Sequence, residues 1–298
     1  MLSRSLIRPS RAAIGGSTIQ DGWVKTLVGR LLQCGSVVIR PVCEIVRYRR
    51  ILAAAIEQGL RDRTVGSTFG MVWLAIYPLL FLAMYSAVFI HVLQVRVPNL
   101  QTGEYILAIF CGLVPFLAFT EGFSAATTSI TSNASLVRNT LFPIELIPLR
   151  EVVVGHVSMG LGMAMVWIAA IWQAGPHWSH LLVPVIFLLQ IMLTAGLAWI
   201  AATLNVFFRD VGKLVPILML FLMLVSPIGY TSDMVPDGLR QWLWINPLAH
   251  LIDLYRSVLL DGHVPAEELG KIAVSAVLAM LAGYFFLIRL KSMFSDHV

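Results

Sequence analysis

Charge is what this 298-residue sequence has least of: 21 Lys and Arg with 16 Asp and Glu make up 12% of it. A soluble domain carries about 25%. So few charged side chains cannot clothe a globule of this length, which excludes an ordinary cytosolic enzyme and points to a chain whose solvent is mostly lipid. Cysteine is nearly missing as well. Cys34, Cys43 and Cys111 are odd in number and unspaced for a metal, so neither a disulfide framework nor a zinc module is expected. Neither G-x-x-x-x-G-K-[ST] nor G-x-G-x-x-G occurs, so no phosphate cradle is recognisable. Within the apolar runs Glu121 is the one acid, with His91 and His156 near run ends, which is thin support for an ion or proton relay. A membrane transferase or protease would need Asp, Glu, His or Ser converging at one depth, and no such set is found. His177 and His180 offer two imidazoles without nearby Cys, Asp or Glu, so they read as interfacial anchors and no metal site is expected. The first twenty residues hold Arg4, Arg8 and Arg11 but no acid and no apolar core of a signal peptide. They read as a basic cytoplasmic tail rather than a presequence.

What is abundant is apolar sequence, 58% of the chain, and it comes in runs. Residues 71–94, 105–137 (broken only by Glu121), 152–173, 181–208, 214–232 and a shorter 272–288 are each near the ~20 residues a bilayer demands. The expectation is an all-α integral membrane protein with six transmembrane helices. Its positive charges then set the orientation. Seventeen Lys and Arg fall before the first run, in the second-to-third and fourth-to-fifth connections and in the tail, against Arg96, Arg240, Arg256 and Lys271 on the other face. Both termini are therefore expected in the cytoplasm. The net charge of +5 is an orientation signal and not a mark of nucleic-acid binding.

Three segments lie outside these runs, after a basic tail over 1–44. In 45–66, Ile51, Leu52, Ala55, Ile56 and Leu60 share one helical arc and Arg50, Glu57, Gln58 and Arg61 the opposite one, an amphipathic interface helix. Arg49 and Arg63 stray toward the apolar arc, where long side chains snorkel. The 138–150 connection is too apolar for a bare loop and too Pro-broken for a long helix, so it is expected to dock on something. The outer stretch 233–262 holds Trp242, Trp244 and Tyr255, with Asn246-Pro247 as a helix start. It reads as two short amphipathic helices that either re-enter the outer leaflet or lie flat on it.

Trp73, Tyr77, Phe81, Tyr85 and Phe89 recur every fourth residue across about 24 Å of the first run. Each step advances about 40° around an ideal helix, so the ladder is a slow spiral. Two readings stand: lipid contact with helix packing, or a slide whose aromatic faces stack on sugar rings without gripping them. Glu121, among Thr120, Ser124, Thr127 and Thr128, is either a satisfied packing residue or the lining of a polar cavity.

In order along about residues 46–290, the sequence resembles the permeases of ATP-binding-cassette exporters for O-antigens, capsules and teichoic acids. The resemblance rests on Arg61-Asp62-Arg63 to Gly66, Gly70-Met71-Val72-Trp73, Tyr77-Pro78-Leu79 and Gly112-Leu113-Val114-Pro115-Phe116. It continues through Asn133 to Arg138, Leu141 to Leu149, Asn205 to Val211, Ser226-Pro227-Ile228-Gly229-Tyr230 and Ile245-Asn246-Pro247-Leu248. It implies a homodimer docked on two copies of a separate ATPase subunit, which binds ATP and Mg, so no cofactor in this chain. It implies a lipid-linked polysaccharide as cargo and leaves room for periplasmic export components. The channel would be lined by Trp73, Tyr77, Phe81, Tyr85, Phe89 and Tyr230. The coupling segment would use Arg138, Asn139, Leu141, Phe142, Pro143, Glu145 and Arg150. A re-entrant outer gate would hold Trp242, Trp244, Asn246, Pro247 and Tyr255. The expected setting is the bacterial cytoplasmic membrane. A drug or lipid exporter of the same architecture, or a membrane enzyme of glycolipid assembly, are the competing readings.

Overall fold

The computed structural model describes residues 41–63, 69–92, 102–134, 143–230, 238, 243 and 246–296. Its contacts divide the chain into Met1–Glu44 and Ile45–Val298. Of the first unit, residues 41–44 are described, and they are helical. Every labelled helix belongs to the second. In chain order these are α1 (Arg49–Asp62), α2 (Trp73–Ala87), α3 (Thr102–Ser132), α4 (Leu146–Ala174), α5 (Val183–Phe207), α6 (Asp210–Val225), α7 (Pro247–Leu259) and α8 (Ala266–Leu290). Most of the described residues are helical, and no strand is found among them.

Where six runs were expected to span, four helices among the described residues are long and apolar enough to cross a membrane: Gly103–Ser132, Leu146–Ala174, Trp178–Phe207 and Ala266–Phe294. Among the described residues the first and fifth runs make shorter α-helices. α2 has 15 residues and passes into a five-residue π turn, Val88–Val92. α6 has 16 residues and stops at Ser226, which is extended (ψ 142°), the conformation forced on a residue that precedes proline. At the other end α6 starts at Asp210, earlier than the run, with the acid in its first turn where the helix dipole favours it.

The 138–150 connection is described from Pro143 onward. Leu146-Ile147-Pro148-Leu149 is the first turn of α4, since a proline there lacks only an N–H that has no intrahelical partner. All four residues are buried, so this half of the connection docks on its own chain. At its far end α4 closes on Gly175, at φ +85°.

The tightest pairings are α3 with α4 and α5 with α8, and α3 also packs on α5. Both tight crossings rely on glycine. A Cβ on Gly155 would lie 2.5 Å from the Gly122 nitrogen, and one on Gly283 would lie 2.0 Å from the Gly196 oxygen. In lipid, helices associate through such close backbone approach, because burying an apolar face gains nothing there. α1 rests on α4 with Leu52 and Gly59 buried. α7 is wedged among α3, α5 and α8, buried on most of its circumference from Leu248 to Leu259. By contrast α6 buries only Val215 and Met219, while Leu214, Ile217, Leu220, Phe221 and Leu224 are bare.

Candidate functional site

The ladder of α2 is a physical stack. Tyr77 and Phe81 have ring centroids 6.3 Å apart, tilted by 34°, and Phe81 and Tyr85 lie 6.2 Å apart at 18°. These separations suit the offset geometry that aromatic quadrupoles prefer. Below them Trp73 meets Phe69 edge to face at 5.9 Å. Trp73 and Tyr77 are 40% and 51% exposed, and Phe81 and Tyr85 are half-buried. Phe89 sits in the π turn, and its side chain lies outside the described residues.

At the Trp73 end is a cavity of about 220 Å³, lined by Trp73, Tyr77, Pro78, Arg63, Glu121, Ser158 and Met159. Arg63 donates to the Glu121 carboxylate and, over 2.7 Å, to the Ser158 hydroxyl, which itself donates to the Val154 carbonyl at 2.8 Å. Glu121 thus lines a polar cavity and pairs with Arg63 through one carboxylate oxygen, while the other is buried without a hydrogen-bond partner among the described residues. Arg63 does not snorkel to the interface but turns onto α3 and α4. Burial lowers its pKa, against an opposing pull from Glu151.

At the other end of the ladder is a larger cavity, about 460 Å³, whose polar lining is Glu104, Tyr105, Gln173, Tyr230, Arg256 and Asp261. The Tyr105 hydroxyl donates to the Gly229 carbonyl at 2.9 Å and Tyr230 to the Val225 carbonyl at 2.7 Å. Behind it Arg256 spreads its fork over three carbonyls: Ala108 at 3.1 Å, Tyr230 at 3.1 Å and Ile228 at 2.7 Å. Sequence reasoning registered Arg256 only as a charge, and Arg63 as a snorkelling side chain of the interface helix. For Arg256 the usable signal was a cation inside an otherwise apolar helix segment, where it must find partners.

Of the expected gate residues, Asn246 and Pro247 form the helix start that their spacing predicts. The Asn246 side chain accepts from the Leu248 N–H at 3.0 Å, with Pro247 opening α7. The Asn246 amide also donates to Ser226 at 3.1 Å. Tyr255 is fully buried rather than on a surface, donating to Gln190 at 3.1 Å, and Gln190 donates to the Pro115 carbonyl at 2.7 Å. It braces α7 to α5 and α3. Trp242 and Trp244 lie outside the described residues, as do Arg138, Asn139, Leu141 and Phe142 of the coupling segment.

The rest of that segment faces inward. Pro143 is half-buried; the Glu145 carbonyl accepts from the Trp199 indole at 2.8 Å, and its carboxylate accepts from Lys291 at 2.7 Å. Arg150 lies 3.7 Å from Asp62 and 3.6 Å from Glu151. Glu145 thus braces the connection against Trp199 and Lys291. Removing one partner of a fully buried pair costs about 3–5 kcal/mol. Glu145 is 5% and Lys291 37% exposed, so Lys291→Ala should cost less, about 2 kcal/mol, with most of it recovered in Lys291→Ala/Glu145→Gln. Melting of the solubilised protein measures both, and additive losses would remove the pair from the account.

Residues 52–260 match the family model described as ABC-2 type transporter. Among curated proteins, the chain is 30% identical over 249 residues to the O-antigen export system permease protein RfbA of Klebsiella pneumoniae, covering 83% of this chain and 94% of that one. It is 27% identical over 253 residues to the protein of the same name from Myxococcus xanthus, with 83% and 95% covered. It is 23% identical over 209 residues to the polysialic acid transport protein KpsM of Escherichia coli, with 69% and 79% covered. The match runs from within α1 to the end of α7, taking in the ladder and all of the two cavity linings but Asp261, and the chain belongs to the ABC-2 type transporter family.

Proposed function

We propose that this chain is the permease subunit of an ATP-driven exporter that moves a lipid-linked cell-surface polysaccharide across the bacterial cytoplasmic membrane. The positive-charge bias puts the Arg63 end in the cytoplasm and the Tyr230 end outside. Two copies form the channel, α2 and α6 serve as first and fifth of six spans, and the 233–262 segment re-enters from outside as a gate. The 138–150 connection docks on a separate ATPase subunit, present twice, which binds ATP and Mg. The names of the relatives support this reading, as do the bare faces of α2 and α6, which await cover by a second copy.

One observation carries it furthest: Tyr77, Phe81 and Tyr85 stack ring on ring along α2, starting from the polar cavity that Trp73 and Tyr77 line. Aromatic faces attract the polarised C–H faces of sugars without fixing one register, as passage of a repeating polymer requires. An ionic lining would serve ions instead. A stacking contact is worth about 0.5–1.5 kcal/mol, so Tyr77→Ala/Phe81→Ala/Tyr85→Ala should lower surface polysaccharide about tenfold or more. Complex assembly and basal ATP hydrolysis should persist. Unchanged export would return the ladder to lipid contact. A tagged chain that purifies without any ATPase subunit, or a deletion strain that keeps its surface polysaccharide, would overturn the exporter reading in favour of drug or lipid export or of glycolipid assembly.

A further inference from the structure

We infer that the N-terminal end of α1 is a docking site for anionic phospholipid headgroups of the cytoplasmic leaflet, held by Arg47, Arg49 and Arg50. Such a site is independent of what the chain carries. Sequence periodicity gives the apolar arc of this helix to the membrane interface. The structure instead turns most of that arc onto the protein: Leu52 and Gly59 are buried against α4, and Ile45, Tyr48 and Ile56 pack on the core. What the helix leaves exposed at its start is a basic turn.

Charge separates the two ends of α1. Toward its C-terminus the cations are matched: Arg61 pairs with Glu57 at 2.6 Å, Arg63 donates to Glu121, and Asp62 lies 3.7 Å from Arg150. Arg47, Arg49 and Arg50 are all exposed, and none has a carboxylate partner among the described residues. The first turn of α1 holds no acid either. With Val46, Tyr48 and Ile51 the three arginines frame a recess of about 560 Å³ whose lining is free of acids. Guanidinium forks match phosphate oxygens, and phosphodiester anions are what a leaflet supplies in quantity. The apolar edges suit the same partner. Val46 and Ile51, which bracket the arginines in sequence, are 55% and 46% exposed and offer contacts to acyl carbons. Arg47 lies 5.4 Å over the Tyr48 ring, an aromatic of the kind that settles at a membrane interface. Depth favours lipid over a protein from the cytoplasm. α4 rises about 43 Å, more than a ~30 Å hydrocarbon core, so its cytoplasmic tip stands among headgroups. α1 flanks that end of α4: Gly59 meets Arg150 and Val154, and Arg63 bonds to Ser158. Ile45 and Tyr48 keep the start of α1 against the bundle, which sets the arginines at the level of lipid phosphates.

The test uses the full-length chain, with whatever subunit copurifies, in detergent containing equal amounts of dioleoyl phosphatidylglycerol and dioleoyl phosphatidylcholine. Native mass spectrometry counts the lipids retained. The wild-type chain should retain phosphatidylglycerol in preference, and Arg47→Gln/Arg49→Gln/Arg50→Gln should lower the ratio of the two lipids at least about tenfold. Lys213→Gln is the control: it removes an exposed cation that Asp210 already neutralises, and the ratio should hold. Added phosphatidylglycerol should also raise the melting point of the wild-type chain and not that of the triple variant. Size-exclusion profiles certify the fold, and the single Arg50→Gln serves if the triple variant fails to fold. Equal retention of both lipids by the wild-type chain, or a ratio indifferent to the arginine substitutions, overturns the site. So does a ratio that falls as far in Lys213→Gln. If the triple variant keeps its phosphatidylglycerol but loses a copurifying subunit, the arginines serve a protein partner and the lipid site falls.

Discussion

Replacing Gly283 with leucine should leave almost no folded protein in the membrane. A Cβ there would sit 2.0 Å from the Gly196 oxygen, and one on Gly196 would sit 2.2 Å from the Ala279 carbonyl carbon. α5 and α8 thus meet backbone to backbone. Ordinary overpacking costs about 1–3 kcal/mol because side chains can move aside. Neither backbone can, so the helices must separate, and in lipid that forfeits the close packing that joins them. Gly283→Ala should already lower the melting point. Gly270→Ala is the control: it lies in the same helix, nothing stands within 4 Å of its Cβ, and alanine there should be neutral or better by up to ~1 kcal/mol. Fluorescence-detected size exclusion of membrane extracts reads all three. A wild-type yield for Gly283→Leu would disprove the α5–α8 crossing.

Arg256→Leu should be nearly as damaging, through different physics. Ala108 lies inside α3, where its carbonyl keeps a helical partner, but Ile228 and Tyr230 lie in the irregular 226–230 segment without one. A buried carbonyl stripped of its donor costs about 1–3 kcal/mol, so two of them put the loss near 2–6 kcal/mol. The 226–230 segment follows α6 directly, so its amides should exchange first as the variant loosens. Arg256→Lys should recover only part, since one ammonium cannot span three acceptors set around a planar fork. Thermal melting with hydrogen exchange over 226–230 tests this, and an unchanged exchange pattern would show that the clamp is dispensable.

Legibility from sequence followed the range of the interaction. α3, α4, α5 and α8 were readable because their apolar runs are long, and the α7 start because Asn246 and Pro247 act on adjacent residues. The early stop of α6 was local as well: Pro227 was in view, but an unbroken apolar run outweighed it. Pro148 misled in the opposite direction, since its effect depends on whether it falls in a first turn. The ladder positions were evident from spacing, but the stacking was not, because a 40° advance per step suggests rings that drift apart. The pairing of Arg63 with Glu121 spans 58 positions, and Arg256 reaches back 148 to Ala108. No periodicity links such residues. Only the packing of α3 against α4 and α7 brings them together.

The shortness of α6 has a consequence for the lipid. Sixteen helical residues rise about 24 Å, short of a ~30 Å hydrocarbon core, while α3, α4, α5 and α8 run to 25 residues or more. A membrane relieves that mismatch by thinning beside the short, bare helix. Lipid that reaches any edge of α6 left uncovered by a second copy then meets a thinner hydrophobic barrier than along the four long helices. Transport should accordingly slow in bilayers of longer acyl chains, at constant headgroup and fluidity, as thickening the annulus raises the cost of holding α6 in place.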